Sequence, residues 1–172
     1  AEVMERIYAD NAATTAMSRA AMDAMTAAMA LYGNPSSLHQ EGQRAAKALE
    51  DARYVMADAL GCRPGEIIFT SGGSEADNQA LRSAAAEGKR RGKHHIISPA
   101  VEHHAVLRTL EELADEGFDV TLLPVDENGR VSAGDAAAAI REDTCLVSVM
   151  TANNEIGTIN PIHLLSEFAH KR

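Results

Sequence analysis

Apolar positions along this chain recur first at helical spacing, then in short continuous runs separated by helical stretches. After Ser18, the residues Met22, Met25 and Met29 lie on one face, and Gly33 follows the run. A helix capped by Ser18 is expected there, with its methionines packed in the core. Ala45, Leu49, Ala52, Met56 and Leu60 put an apolar face on a second helix that stops at Gly61. From Glu66 onward the pattern becomes regular. "EIIFT" (66–70), "HHIIS" (94–98), "DVTLLPV" (119–125) and "TCLVSVM" (144–150) are apolar runs that predict strands. Between them, "SEADNQALRSAAAEG", "HHAVLRTLEELADEG" and "SAGDAAAAIRED" predict helices, the last opened by Ser132. "PIHLLSEFAHKR" predicts a final helix begun by Pro161.

Continuous apolar strands between amphipathic helices imply an α/β fold: a mostly parallel sheet with helices on both faces. Ligand crevices in such sheets form where the strands end. Three loops fall there: "TSGGSE" (70–75), "SPAVEHH" (98–104) and "MTANNEIG" (150–157).

Composition narrows the partners. A net charge of −9 argues against nucleic acid and anionic membranes as partners. Lys89, Arg90, Arg91 and Lys93 form the one basic cluster, and it reads as a solvated helix end. No apolar run is long enough to span a bilayer, and the first residues lack a signal-peptide pattern. Cys62 and Cys145 are far apart and form no CxxC pair, so a reducing cytoplasm without a disulfide is expected. With aromatics at 3% and no Trp, Ala, Leu, Ile, Val and Met must build the core.

Each loop admits a chemical and a purely structural account. At Gly72 and Gly73 no side chain keeps a ligand from the backbone N–H groups, Ser74 adds a hydroxyl, and the next helix points its positive end there. Those features make an anion site, most naturally for phosphate. Alternatively, Ser74 simply caps the helix. The turn matches neither GxGxxG nor GxxxxGK[ST]. Glu102, His103 and His104 raise the question of a metal, but adjacent histidines do not share a helix face, and no metal site is expected. A histidine there can instead stack on a planar ring, move protons or cap a helix. His94 and His95 lead into a strand and read as structural. Asn153 and Asn154 offer amides to a ligand or form an Asx turn, and "GNPSSLH" is a further proline-fixed polar loop.

The order of the motifs adds a resemblance. "YADNAATT" (8–15), "GNPSSLHQEG" (33–42), "EIIFTSGGSEADN" (66–78), "VEHHAVL" (101–107), "LPVDENGRV" (123–131) and "VSVMTANNEIGTINPI" (147–162) together resemble the cysteine desulfurases, pyridoxal-phosphate (PLP) enzymes of the class V aminotransferase group. The resemblance implies the fold type I large domain. Residues 16–172 would form part of it, and residues 1–15 would lie near the small domain and substrate. It implies that Gly73 and Ser74 contact the PLP phosphate. His103 would stack on the pyridine ring and assist proton transfer, and Asn154 would hydrogen-bond the phenolic oxygen. Ala12, Ala13, Thr14 and Asn34 would lie near the substrate amino acid.

The implied reaction takes sulfur from L-cysteine, leaves alanine and forms a protein persulfide. The sulfur then passes to an acceptor such as an iron–sulfur scaffold. The resemblance also implies a homodimer, or a complementing C-terminal chain. The family's cofactor-anchoring lysine, ring-nitrogen aspartate and sulfur-accepting cysteine match no residue of this sequence. The chain is therefore expected to be an N-terminal portion, to hold PLP without a covalent bond at most, and to be inactive alone. Other class V enzymes, such as a selenocysteine lyase or an aminotransferase, and a non-catalytic binding or assembly module are the alternatives.

Overall fold

The computed structural model describes residues 7–171. The chain divides into two compact units, Ala1–Phe69 and Thr70–Arg172.

The first unit contains helices α1 (Arg19–Ala28) and α2 (Gln40–Leu60) and a 3-10 turn at Pro64–Glu66. Ser18 caps α1 as expected: its hydroxyl accepts the Ala21 N–H at 3.2 Å. The second helix ends where Gly61 adopts the left-handed conformation, at φ 66°. Gly42, in its first turn, is buried. A Cβ there would come within 2.5 Å of the Ser37 carbonyl oxygen and 2.7 Å of that of Asn34. Glycine therefore lets the "GNPSS" loop close onto the helix.

Two expectations fail in this unit. Met22, Met25 and Met29 are not core residues but are 43%, 48% and 77% exposed. Helical spacing specifies a face, and none of the described residues of this unit buries it. "EIIFT" is not a strand either. Ile67 is extended, at φ −86° and ψ 126°, but no strand among the described residues pairs with it. Its carbonyl accepts instead from the Arg53 guanidinium, which lies 4.9 Å above the Phe69 ring. An extended apolar run becomes a strand only when a ladder takes its N–H and C=O groups.

The described residues of the second unit form three strands, β1 (His95–Pro99), β2 (Asp119–Leu123) and β3 (Thr144–Val147). Around them lie α3 (Gly73–Arg90), α4 (His104–Asp115), α5 (Ala133–Ala139) and α6 (Ile162–His170). The strands are parallel in the order β2-β1-β3, and every residue of central β1 is buried. That burial explains its unbroken apolar run. Alternate side chains serve two cores. Ile96 packs with Leu81, Ala85, Val106, Leu110, Leu113 and Phe118 of the α3–α4 layer. Ile97 packs with Leu123 of β2, with Val131, and with Ala136, Ile140 and Leu165 of the α5–α6 layer. The sheet is covered on both faces, as the sequence pattern requires, and each buried Leu or Ile contributes about 1.5–3 kcal/mol.

The third strand is shorter than its apolar run. Its ladder slips between His95 and Ile96, leaving Cys145 outside the register, and the Ser148 N–H to Ile97 carbonyl bond of 2.9 Å follows its last paired residue. Cys145 points its thiol at the His95 carbonyl, 3.3 Å away, beneath Gly88 of α3. Among the described residues no helix is long and apolar enough to cross a membrane.

Candidate functional site

The turn before α3 is shaped by a side chain within the helix. The Glu75 carboxylate accepts both the Ser71 N–H and the Ser71 hydroxyl at 2.6 Å. These bonds, the hydroxyl first, hold the Glu75 carboxyl below its usual range. Gly72, not Ser74, occupies the cap position, and no side chain caps the helix. The Ser74 hydroxyl has no hydrogen bond among the described residues. The first N–H groups of any helix have no partner within it, and here they open outward with the positive end of the dipole.

A Cβ built on Gly72 or on Gly73 meets nothing within 4 Å. Gly72 has φ 167°, an extended value open to any residue. Neither packing nor backbone conformation within the chain requires glycine at these two positions. The open N–H groups and the absence of side chains leave room for an anion to approach the backbone.

His103 stands at the N-terminus of α4, just beyond β1. Its Nδ1 accepts the Ala105 N–H at 3.1 Å. The neutral ring therefore carries its proton on Nε2, and the side chain is exposed. Capping and ligand contact, which read as alternatives in the sequence, are compatible here, because capping fixes the ring and leaves its face and Nε2–H open.

The loop after β3 divides its two asparagines. Asn153 forms the Asx turn: its Oδ1 accepts the N–H groups of Glu155 at 2.9 Å and Ile156 at 3.1 Å. Its Nδ2 donates to the Val101 carbonyl at 3.2 Å, tying this loop to the one that carries His103. Asn154 is exposed, and its amide has no partner among the described residues.

Glu102 and Asn160 went unassigned as organisers in the sequence. The Glu102 carboxylate is buried and accepts the Met150 N–H at 2.5 Å. Asn160, 4% exposed, accepts the Val131 N–H at 3.0 Å and donates to the Met150 carbonyl at 2.9 Å. An acidic residue three positions beyond a buried strand was the available signal for Glu102; for Asn160 there was none beyond its place before Pro161.

Gly73, Ser74, His103 and Asn154 all belong to the second unit: Gly73 and Ser74 open α3, His103 caps α4 after β1, and Asn154 lies on the loop after β3. Ala12, Ala13, Thr14 and Asn34 belong to the first unit. There the Ala13 and Thr14 N–H groups donate to the Asp10 carbonyl at 3.2 and 3.3 Å, and Asn34 Oδ1 accepts the Ser36 N–H at 2.9 Å. Among the described residues no three His, Cys, Asp or Glu side chains converge as a metal site.

The chain is 48% identical over 164 residues to the cysteine desulfurase IscS of Methanosarcina thermophila, a match covering 95% of this chain and 40% of that protein. The solved structure of a NifS-like protein superposes with a TM-score of 0.91 at 40% identity, over 97% of this chain and 46% of that one. A structure described as SspA in complex with cysteine gives a TM-score of 0.87 at 37% identity, over 94% and 47% of the two chains. The chain thus spans less than half the length of these relatives. Residues 7–172 match the family model described as aminotransferase class-V, and the chain belongs to that family.

Proposed function

We propose that this chain is the cofactor-binding part of a PLP-dependent cysteine desulfurase. The open, uncapped Gly72–Gly73–Ser74 cradle carries this reading. When bound, PLP would withdraw electrons from the α-carbon of the substrate. The N–H groups of Gly73 and Ser74, with the Ser74 hydroxyl, bind its phosphate. The fixed His103 ring stacks on the pyridine and presents Nε2–H for proton movement. Asn154 donates its free amide to the phenolic oxygen. The assignment of Ala12, Ala13, Thr14 and Asn34 to the substrate rests on their motifs.

In the whole protein the substrate is L-cysteine. An S–S bond to a protein thiol forms as the substrate's C–S bond breaks, and carbon takes a proton to give alanine. Cys145 does not suit the thiol's role. Burial pushes its pKa up, and its sulfur faces a backbone carbonyl under α3. The acceptor cysteine, an onward acceptor such as an iron–sulfur scaffold, and a homodimer or complementing chain complete the proposal. The two free cysteines favour a reducing, cytoplasmic setting.

The test is PLP titration of the whole protein, with alanine release from L-cysteine as the second readout. Gly73→Val should weaken PLP binding by roughly tenfold or more, and Ser74→Ala by about tenfold. The valine points into open space, so the fold should persist. Wild-type affinity in Gly73→Val, or no alanine from the loaded protein, would overturn the proposal.

A further inference from the structure

In a parallel ladder, alternate N–H groups of one strand donate to the same neighbour. Ser148 donates its N–H to the Ile97 carbonyl, so Met150 holds the next donor aimed at β1. No backbone carbonyl among the described residues takes it. The Glu102 carboxylate does, at 2.5 Å, from the loop that turns back after β1. Glu102 is 8% exposed and is the buried acidic side chain among the described residues. The Asn153 amide makes a second tie between the same two loops, to the Val101 carbonyl. One of these loops presents His103 on the residue after Glu102. The other presents Asn154 four residues after Met150.

We propose that Glu102 is a positioning residue: by taking the Met150 N–H where the backbone ladder ends, its carboxyl sets the spacing between His103 and Asn154. The role assigned to that spacing rests on the cofactor reading above, whereas the latch itself rests on this chain's own geometry. Burial raises the Glu102 pKa most, the Met150 N–H lowers it, the Asp77 carboxylate on α3 raises it, and His103 lowers it. The start of α3 and both loops therefore act on this one carboxyl.

Hydrogen exchange at the Met150 amide, measured in the cofactor-free whole protein, tests the latch. Visible circular dichroism of PLP added to the same protein tests its consequence. Glu102→Gln keeps an acceptor oxygen and should keep both signals near wild type. Glu102→Leu removes the acceptor and should speed Met150 exchange by about tenfold or more. It should also displace the PLP dichroic band, and glutamine should restore that band. Should the leucine variant not fold, Glu102→Asp decides: one methylene shorter, it should speed exchange and shift the band. Unchanged Met150 exchange in the leucine or aspartate variant overturns the latch. Faster exchange with an unchanged band overturns the positioning role. If wild type takes up no PLP, the cofactor reading fails, and with it the positioning role, while exchange still decides the latch.

Discussion

His95 is wholly buried in the central strand, with a threonine at each ring nitrogen: Thr144 Oγ1 lies 2.7 Å from Nδ1 and Thr121 Oγ1 lies 2.8 Å from Nε2. One neutral ring thus joins β3 to β2 across β1, with one nitrogen donating and the other accepting. Burial, followed by the Arg141 charge, pushes its pKa below the ordinary histidine value of about 6.5. The unfolded chain therefore binds the proton more readily than the fold does. Stability from this residue is complete above pH 6.5 and falls as pH drops toward the folded pKa. His95→Phe should flatten that part of the pH profile in denaturant melts. It should also cost about 1 kcal/mol for each threonine hydroxyl left without its ring partner; an acid slope equal to wild type would rule this account out. Glu102 tilts the other way. Its raised pKa means that stability declines as pH rises from 4.5 toward the folded value, and Glu102→Gln should remove that decline. The sequence marked His95 as structural because it stood in a strand run. Its threonine partners could not be read, since strand register is settled only when the sheet assembles. The two asparagines show the same limit: residue type placed both in a polar loop, but only the backbone path decides that Asn153 is consumed by a turn and Asn154 stays free.

Helices and paired strands were legible wherever the pattern was local. Ser18 and Gly61 mark helix ends by their own chemistry, and the apolar period locates α3 and α4. "EIIFT" misled because its pattern is that of a strand while its partner is a matter of tertiary structure. Gly88 shows what helix propensity alone misjudges. Within a helix, alanine is normally preferred over glycine by up to about 1 kcal/mol, and Gly88 lies in the last turn of α3. Here a Cβ would come 2.4 Å from the Cys145 Cβ and 2.7 Å from its sulfur. The close approach of α3 to β3 should outweigh propensity, so Gly88→Ala should destabilise the protein by about 1–3 kcal/mol. Because Cys145 is only partly buried, adding Cys145→Gly should return part of that loss despite glycine's own cost in a strand. Thermal melts of both single variants and the double variant measure the coupling, and an additive double variant would sink the contact as the cause.

At the scale of the molecule, the placement of lysine decides what this chain can do with a bound carbonyl compound. The second unit has three lysines, Lys89, Lys93 and Lys171. Lys89 lies in the last turn of α3, and Lys93 precedes β1, at the ends where the strands begin. Lys171 follows α6, whose His170 lines a cavity with Lys93, Arg141 and Thr144 at those same strand starts. The anion cradle, His103 and Asn154 lie toward the other end of the sheet, where the strands finish. A strand rises about 3.3 Å per residue, so five-residue β1 alone separates its ends by more than 10 Å. None of the three ammonium groups is placed to bond covalently to a PLP molecule whose phosphate sits on Gly73 and Ser74. The second unit should therefore hold PLP reversibly. After borohydride treatment and denaturation, Lys89, Lys93 and Lys171 should carry no reduced PLP, and inorganic phosphate should displace the ligand. A mass increase equal to reduced PLP, mapped to Lys89, Lys93 or Lys171, would show that the cofactor binds at the opposite end of the sheet. It would take both the cradle assignment and the Glu102 positioning role down together.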